Sequence, residues 1–129
     1  MKHGFLKVAA VTPDIRVADT VYNAEQICKC IKEASLQGAK IIVFPELCLC
    51  GYTCGDLLLQ EQLLTSCREQ LLKIAEATEE LEPLVFVGLP LECDGKLYNV
   101  AAVLQDGEIL AFIPKTYIPS HGEFFESRL

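Results

Sequence analysis

The stretch "KIIVFPE", Lys40 to Glu46, decides how this chain is read. Ile41, Ile42, Val43 and Phe44 form a continuous apolar run that ends abruptly in Pro45 and Glu46. A run rich in β-branched residues with no polar alternation is how a central strand covered on both faces looks. Proline has no N–H for a β-ladder, so pairing stops there and the next side chain is released at the strand end. "FIPK", Phe112 to Lys115, repeats the pattern with the opposite charge. In open α/β sheets that edge is where ligands bind. A carboxylate and an ammonium together at such a mouth can act as general base and electrostatic stabiliser. The plainer alternative is two solvated charges or a structural ion pair.

Outward from this stretch, Phe5 to Val11 reads as an opening strand. Asp19 is placed to cap a helix that runs to about Leu36 and is closed by Gly38. Val21, Ala24, Ile27, Cys28, Ile31 and Ala34 recur at helical spacing and form its apolar face. Gly51 to Gly55 reads as a loop, and Asp56 as the cap of a second helix reaching about Glu80. The stripe of that helix is Leu64, Cys67, Leu71, Ile74 and Thr78. The grammar then changes to strand, turn, strand, turn, strand: "LVFVGLPLE", "CDGK", "KLYNVAAVLQ", "DG", "EILAFIPK". Asp106-Gly107 between apolar runs is a hairpin signal, since both residues tolerate positive φ. The expected architecture is β-α-β-α followed by an antiparallel β-meander, a mixed α/β sheet with its helices on one face. The tail "TYIPSHGEFFESRL" holds Tyr117, Phe124 and Phe125, which need something to pack on, so the chain is expected to stop inside a domain.

Composition excludes several function classes. The chain has 129 residues, enough for one domain with a core, and half of them are hydrophobic. Its net charge is −7, and the 11 Lys and Arg are scattered, whereas a nucleic-acid surface needs clustered positive charge. No window approaches the ~18 uninterrupted apolar residues of a membrane span. Seven cysteines, an odd number, behind an N-terminus that does not read as a signal peptide suggest reduced thiols in the cytoplasm. His3 reads as an untethered terminal residue.

The residues around both prolines go beyond a generic pattern. "FPELCLCGY" with Glu46 resembles the first signature of the nitrilase, or carbon–nitrogen hydrolase, superfamily. "KLYNVAAVLQDGEILAFIPKTYIP" with Lys115 is similar to its second, and "VGLP" at Val87 to Pro90 also fits. Within the superfamily, "GYTCGDLLLQ" and "KTYIPSHGEFFESR" resemble the glutaminase portion of glutamine-dependent NAD synthetases. The resemblance implies the N-terminal half of an α-β-β-α sandwich, in a family whose domains pair helical faces and form homo-oligomers. Its chemistry needs a Cys nucleophile, a Glu general base and a Lys oxyanion stabiliser. By resemblance Glu46 is the base and Lys115 the stabiliser. Tyr52, His121, Glu123 and Phe124 are implied as edges of the glutamine pocket, with packing beneath the loop the alternative for Tyr52 and a core position the alternative for Phe124. His121 stands where related sequences often carry Tyr, which would change the polarity and pH response of that position. Glu123 and Glu126 are each candidates for a supporting carboxylate, or else surface charges paired with Arg128.

The chain has no cysteine after Cys93. The resemblance therefore implies that residues 1–129 are a partial glutamine amidohydrolase domain, with its nucleophile motif beyond Leu129. Alone the chain is expected to be inactive. It holds no cofactor itself; ATP and Mg²⁺ are implied for a separate synthetase domain, with which this domain and the rest of its own would partner. Two rival readings stay open: a stand-alone nitrilase-type amidase or carbamoyl hydrolase, and an inactive fragment serving as an interaction module. Cys48 and Cys50 lie near Glu46 and could substitute as nucleophile, but small buried cysteine is common packing material. Cys28 and Cys30 point to different helix faces, and Cys48, Cys50 and Cys54 lack paired zinc-site spacing, so no metal is expected.

Overall fold

The computed structural model describes residues 4–52, 55 and 60–115. Its elements follow the order β1 (Val8–Ala10), α1 (Thr20–Leu36), β2 (Ile41–Val43), α2 (Glu61–Ala77), β3 (Leu84–Cys93), β4 (Lys96–Gln105) and β5 (Glu108–Pro114). These strands form a single five-stranded sheet in sequence order, β1-β2-β3-β4-β5. β1, β2 and β3 are parallel, and β3, β4 and β5 pair antiparallel. Right-handed crossovers that step repeatedly in one direction put both helices on the same face. The mixed sheet with one helical layer is thus the architecture expected from the sequence.

The antiparallel half is built by two tight turns. Asp94 and Gly95 have φ of 52° and 76°, and Asp106 and Gly107 have φ of 46° and 81°. Paired positive φ values match the right-handed twist of the flanking strands, which is why Asp-Gly stands at both. The second turn is tied to the helical layer. Thr78, fully buried at the end of α2, accepts a hydrogen bond at its Oγ1 from Gly107 N at 2.9 Å. Asp106 Oδ1 accepts from Glu80 N at 2.8 Å.

The core lies between helices and sheet. Ile27 and Ile31 of α1 and Cys67, Leu71 and Ile74 of α2 meet Ile42, Val85, Val87, Leu89, Ala102 and Leu104 of the strands, all buried. Each large aliphatic side chain buried here contributes about 1.5–3 kcal/mol. Thr20 and Ser66 hydrogen-bond through their hydroxyls and join the two helices.

Several local expectations are corrected. β1 is shorter than Phe5–Val11, although Val11 N still reaches Val43 O at 2.9 Å. α1 begins as expected, with Asp19 accepting from Tyr22 N. Val21 is not on its buried face; Thr20 and Asn23 are. α2 starts at Glu61 behind Gln60, not after Asp56, which lies outside the described residues. The apolar run of β2 is not covered on both faces among the described residues. Ile42 is fully buried beneath the helices, whereas Val43 is 41% exposed on the other side. Val8 and Ile113 are exposed on that same open face.

Asn23 locks the helical layer to the turn that follows β2. Fully buried, it accepts from Arg16 N at 2.7 Å and donates from Nδ2 to Arg16 O at 2.8 Å and Leu49 O at 3.0 Å. Asn23→Ala leaves the Leu49 carbonyl buried without this donor. It is expected to lower unfolding free energy by about 2–3 kcal/mol, read from urea denaturation.

Candidate functional site

β2, β3 and β5 run in one direction and β4 opposes them, so both proline-ended strands open at the same sheet edge. They are not neighbours. With β3 and β4 between them, the axes of β2 and β5 lie about 14 Å apart at ordinary strand spacing. Yet Lys115 Nζ sits 2.7 Å from Glu46 Oε1. Local features of the chain close this gap.

The first is the turn after β2. It leaves Phe44, whose N–H still bonds Phe86 O at 3.0 Å, and folds back through Cys48 N to Pro45 O at 3.3 Å and Gly51 N to Leu47 O at 2.8 Å. Leu49 N then returns to β3 at Gly88 O, 3.1 Å away. Leu47 adopts a φ of 53°, unusual for a branched residue, and is held there by a side chain only 1% exposed. The turn lies directly against Gly88. A Cβ there would stand 2.5 Å from Leu47 N and 2.6 Å from Pro45 O. Glycine in this strand is what lets the segment carrying Glu46 lean over the sheet.

The second feature is a β-bulge in β5. Val103 pairs with Ala111 and Leu104 with Ile109, which leaves Leu110 as the extra residue. Ile109 faces the helices. Strict alternation would send Ala111, Ile113 and Lys115 to the helical side as well. The bulge reverses the alternation, so Ala111, Ile113 and Lys115 fall on the open face.

The result is a cavity of about 300 Å³ on the open face, lined by Val43, Pro45, Glu46, Phe86, Gly88, Asn99, Ala101, Ile113 and Lys115 among others. Glu46 and Lys115 are its charged residues among those described. Their side chains are 35% and 27% exposed, so the pair is partly shielded and still reachable. A carboxylate beside an ammonium on an apolar wall can take a proton from a nucleophile and stabilise a developing negative charge.

The structure therefore brings Glu46 and Lys115 together. Tyr52 packs half-buried against the core and does not line the cavity. His121, Glu123, Phe124 and Glu126 lie outside the described residues, as do Tyr117, Phe125, Arg128, Cys54 and His3. Gly88 and Asn99 were not singled out from the sequence. A glycine inside an apolar strand run and an asparagine entering one were the signals available.

The cysteines beside Glu46 pack inward. Cys48 is 3% exposed, with its Sγ 3.7 Å from Gly88 O, and Cys50 is fully buried with its Sγ against Leu47 O and Gly51 O. Burial pushes the Cys48 thiol up to about 12, which disfavours the thiolate that a nucleophile needs. Burial also raises the thiols of Cys28 and Cys30. Among the described residues, no group of three or more His, Cys, Asp or Glu is arranged to hold a metal ion. None of the described helices is long and apolar enough to cross a membrane.

Comparison with known proteins follows the same lines. The family described as Carbon-nitrogen hydrolase matches residues 7–129. The glutamine-dependent NAD(+) synthetase of Mycobacterium tuberculosis (strain ATCC 25618 / H37Rv) is 38% identical over 127 residues, 98% of this chain and 19% of that protein. The synthetase of Aquifex aeolicus is 42% identical over 113 residues, 87% of this chain and 19% of its own length. This chain thus spans about a fifth of the relatives it matches. The crystal structure of a glutamine-dependent NAD(+) synthetase from Cytophaga hutchinsonii superposes with a TM-score of 0.89 at 27% identity, covering 95% of this chain and 21% of that one. An amidase from Nesterenkonia sp. shares the fold, with a TM-score of 0.76 at 23% identity over 95% of this chain and 47% of its own.

Two measurements check the site. Gly88→Ala is expected to reduce stability by about 3 kcal/mol, seen as a lower urea midpoint, because backbone atoms on the opposing turn cannot yield as a side chain would. Iodoacetamide at about pH 8 should label exposed Cys93 in the folded protein and reach Cys48 and Cys50 only after unfolding. Rapid labelling of folded Cys48 would contradict its packing role.

Proposed function

The chain belongs to the carbon–nitrogen hydrolase family, and on that premise we propose that it is the N-terminal part of the glutaminase portion of a glutamine-dependent NAD(+) synthetase. The reaction is hydrolysis of the glutamine side-chain amide, with the ammonia going to amidate nicotinic acid adenine dinucleotide. The observation that carries this reading is the 2.7 Å pair of Glu46 and Lys115 over an open cavity. It joins the two family motifs across strands that are not adjacent.

In this proposal Glu46 takes the proton of a cysteine thiol supplied from sequence beyond Leu129. The thiolate attacks the amide carbon of glutamine, and the carbonyl oxygen becomes an oxyanion facing the Lys115 ammonium. The C–N bond breaks as Glu46 returns its proton to the departing ammonia. Glu46 then deprotonates a water that attacks the thioester, again past an oxyanion held by Lys115. Collapse releases glutamate and leaves the thiol reprotonated. His121, Glu123 and Phe124 are proposed as neighbours of the glutamine pocket, whereas Tyr52, packed against the core, is assigned no contact there. ATP and Mg²⁺ serve a separate synthetase domain, and none of the described residues is assigned to them. The whole protein is proposed to be a cytoplasmic homo-oligomer, with neither membrane nor nucleic acid as partner.

Ammonia release from glutamine by the full-length protein tests the reading. Glu46→Gln and Lys115→Ala should each lower kcat by about 10²–10³, with folding verified by circular dichroism. Residues 1–129 alone should release no ammonia. Full activity in either variant, or in the short chain, overturns the assignment.

A further inference from the structure

Asn99 is a buried carboxamide, 5% exposed, on the wall of the cavity that holds Glu46 and Lys115. Burying such a group is unfavourable unless its polar atoms are used. Its position is fixed by register. On one side Asn99 pairs with Pro90 of β3. On the other, Lys115 N donates to Asn99 O at 2.8 Å and carries the ladder one step past the Val100–Pro114 pair. Asn99 and Lys115 are therefore directly opposite each other. Side chains so placed have Cβ atoms about 5 Å apart on the same face. That face is the open one, shared with Gly88 and Ala101.

We infer that Asn99 is a positioning residue that keeps the Lys115 ammonium in place while Glu46 changes protonation state. The inference rests on the proposed function. Each half-reaction protonates Glu46, and a neutral carboxyl no longer offers Lys115 a counter-charge. Lysine is a flexible point charge on a four-carbon stem and would then drift toward water. The carboxamide oxygen of Asn99 is an acceptor whatever the state of Glu46, and its NH₂ group can donate to a carboxylate. A neutral amide holds the ammonium without competing with Glu46 for the proton. An aspartate at this position would compete.

The experiment uses the full-length protein, with glutamine-dependent ammonia release followed across pH. Asn99→Ala should lower kcat by about 10–100-fold while the KM for glutamine stays within about threefold, because the inferred role acts on the reacting charges more than on binding. Asn99→Asp is nearly isosteric and tests the same idea if the alanine variant fails to fold. Its added carboxylate faces Glu46 and Lys115, the charged residues among those described that line the cavity. Like-charge repulsion then holds the proton on Glu46 more tightly, so the acidic limb of kcat/KM moves to higher pH. An unmoved limb in Asn99→Asp, with or without a lower kcat in Asn99→Ala, overturns the inference and leaves Asn99 a structural residue. Glu46→Gln is the control. If it remains active, the proposed function fails with it; if it is inactive while the Asn99 variants behave as wild type, this inference alone fails.

Discussion

The pairing of Glu46 with Lys115 is the constraint on which the rest of the structure depends. The two residues come from strands separated by two others, and a side-chain contact of 2.7 Å across that separation is not available to a regular sheet. The chain meets it by deforming both strand ends. One deformation is a tight turn seated on Gly88, and the other is a single extra residue, Leu110, in β5. Neither alone is sufficient. Without the seat Glu46 stays over β2, and without the bulge Lys115 faces the helices.

The helical layer matters to the site because it holds that turn. Asn23 of α1 donates to Leu49 O, and Leu47, Leu49 and Cys50 are buried in the same cluster as Ile27 and Ile74. A left-handed φ at Leu47 stores strain of about 1–3 kcal/mol that persists only where the surroundings over-determine it. Here a buried side chain, a returning bond from Leu49 N to β3 and the Asn23 clamp do so together. The cysteines beside Glu46 belong to this support. They fill the space beneath the turn, and the high proton affinity of Cys48 is a consequence of that burial.

Element order and the charged strand ends were legible in the sequence because they follow from local patterns. Helical spacing marked α1 and α2, Asp-Gly marked the turns, and proline followed by a charge marked the two residues that meet. The meeting itself was not legible as geometry. A β-bulge leaves no compositional trace in "EILAFIPK", whose simple alternation sends Lys115 to the wrong face. Gly88 carried a weaker signal, since a glycine in a strand indicates a close approach without naming the partner. β2 misled for a related reason. Its unbroken apolar run expresses the environment a strand is suited to, and among the described residues only one face of that environment is supplied.

The open face also limits how the chemistry is completed. On the helical side Ile42, Val85, Val87 and Leu89 are fully buried in the core formed with α1 and α2, while Glu46 and Lys115 line the cavity on the other face. In the proposed reaction a thiol and an amide would approach the pair from the open face, across the surface formed by Val43, Phe86, Ala101 and Ile113. That surface is apolar, so a layer that covers it would exclude water and strengthen the attraction between the ammonium and an oxyanion. The exposed apolar face and the half-shielded ion pair are thus one feature. The proposed reaction needs a covering layer both to bury the strands and to lower the dielectric around Lys115, and a nucleophile carried on that layer would meet Glu46 from the side that is open.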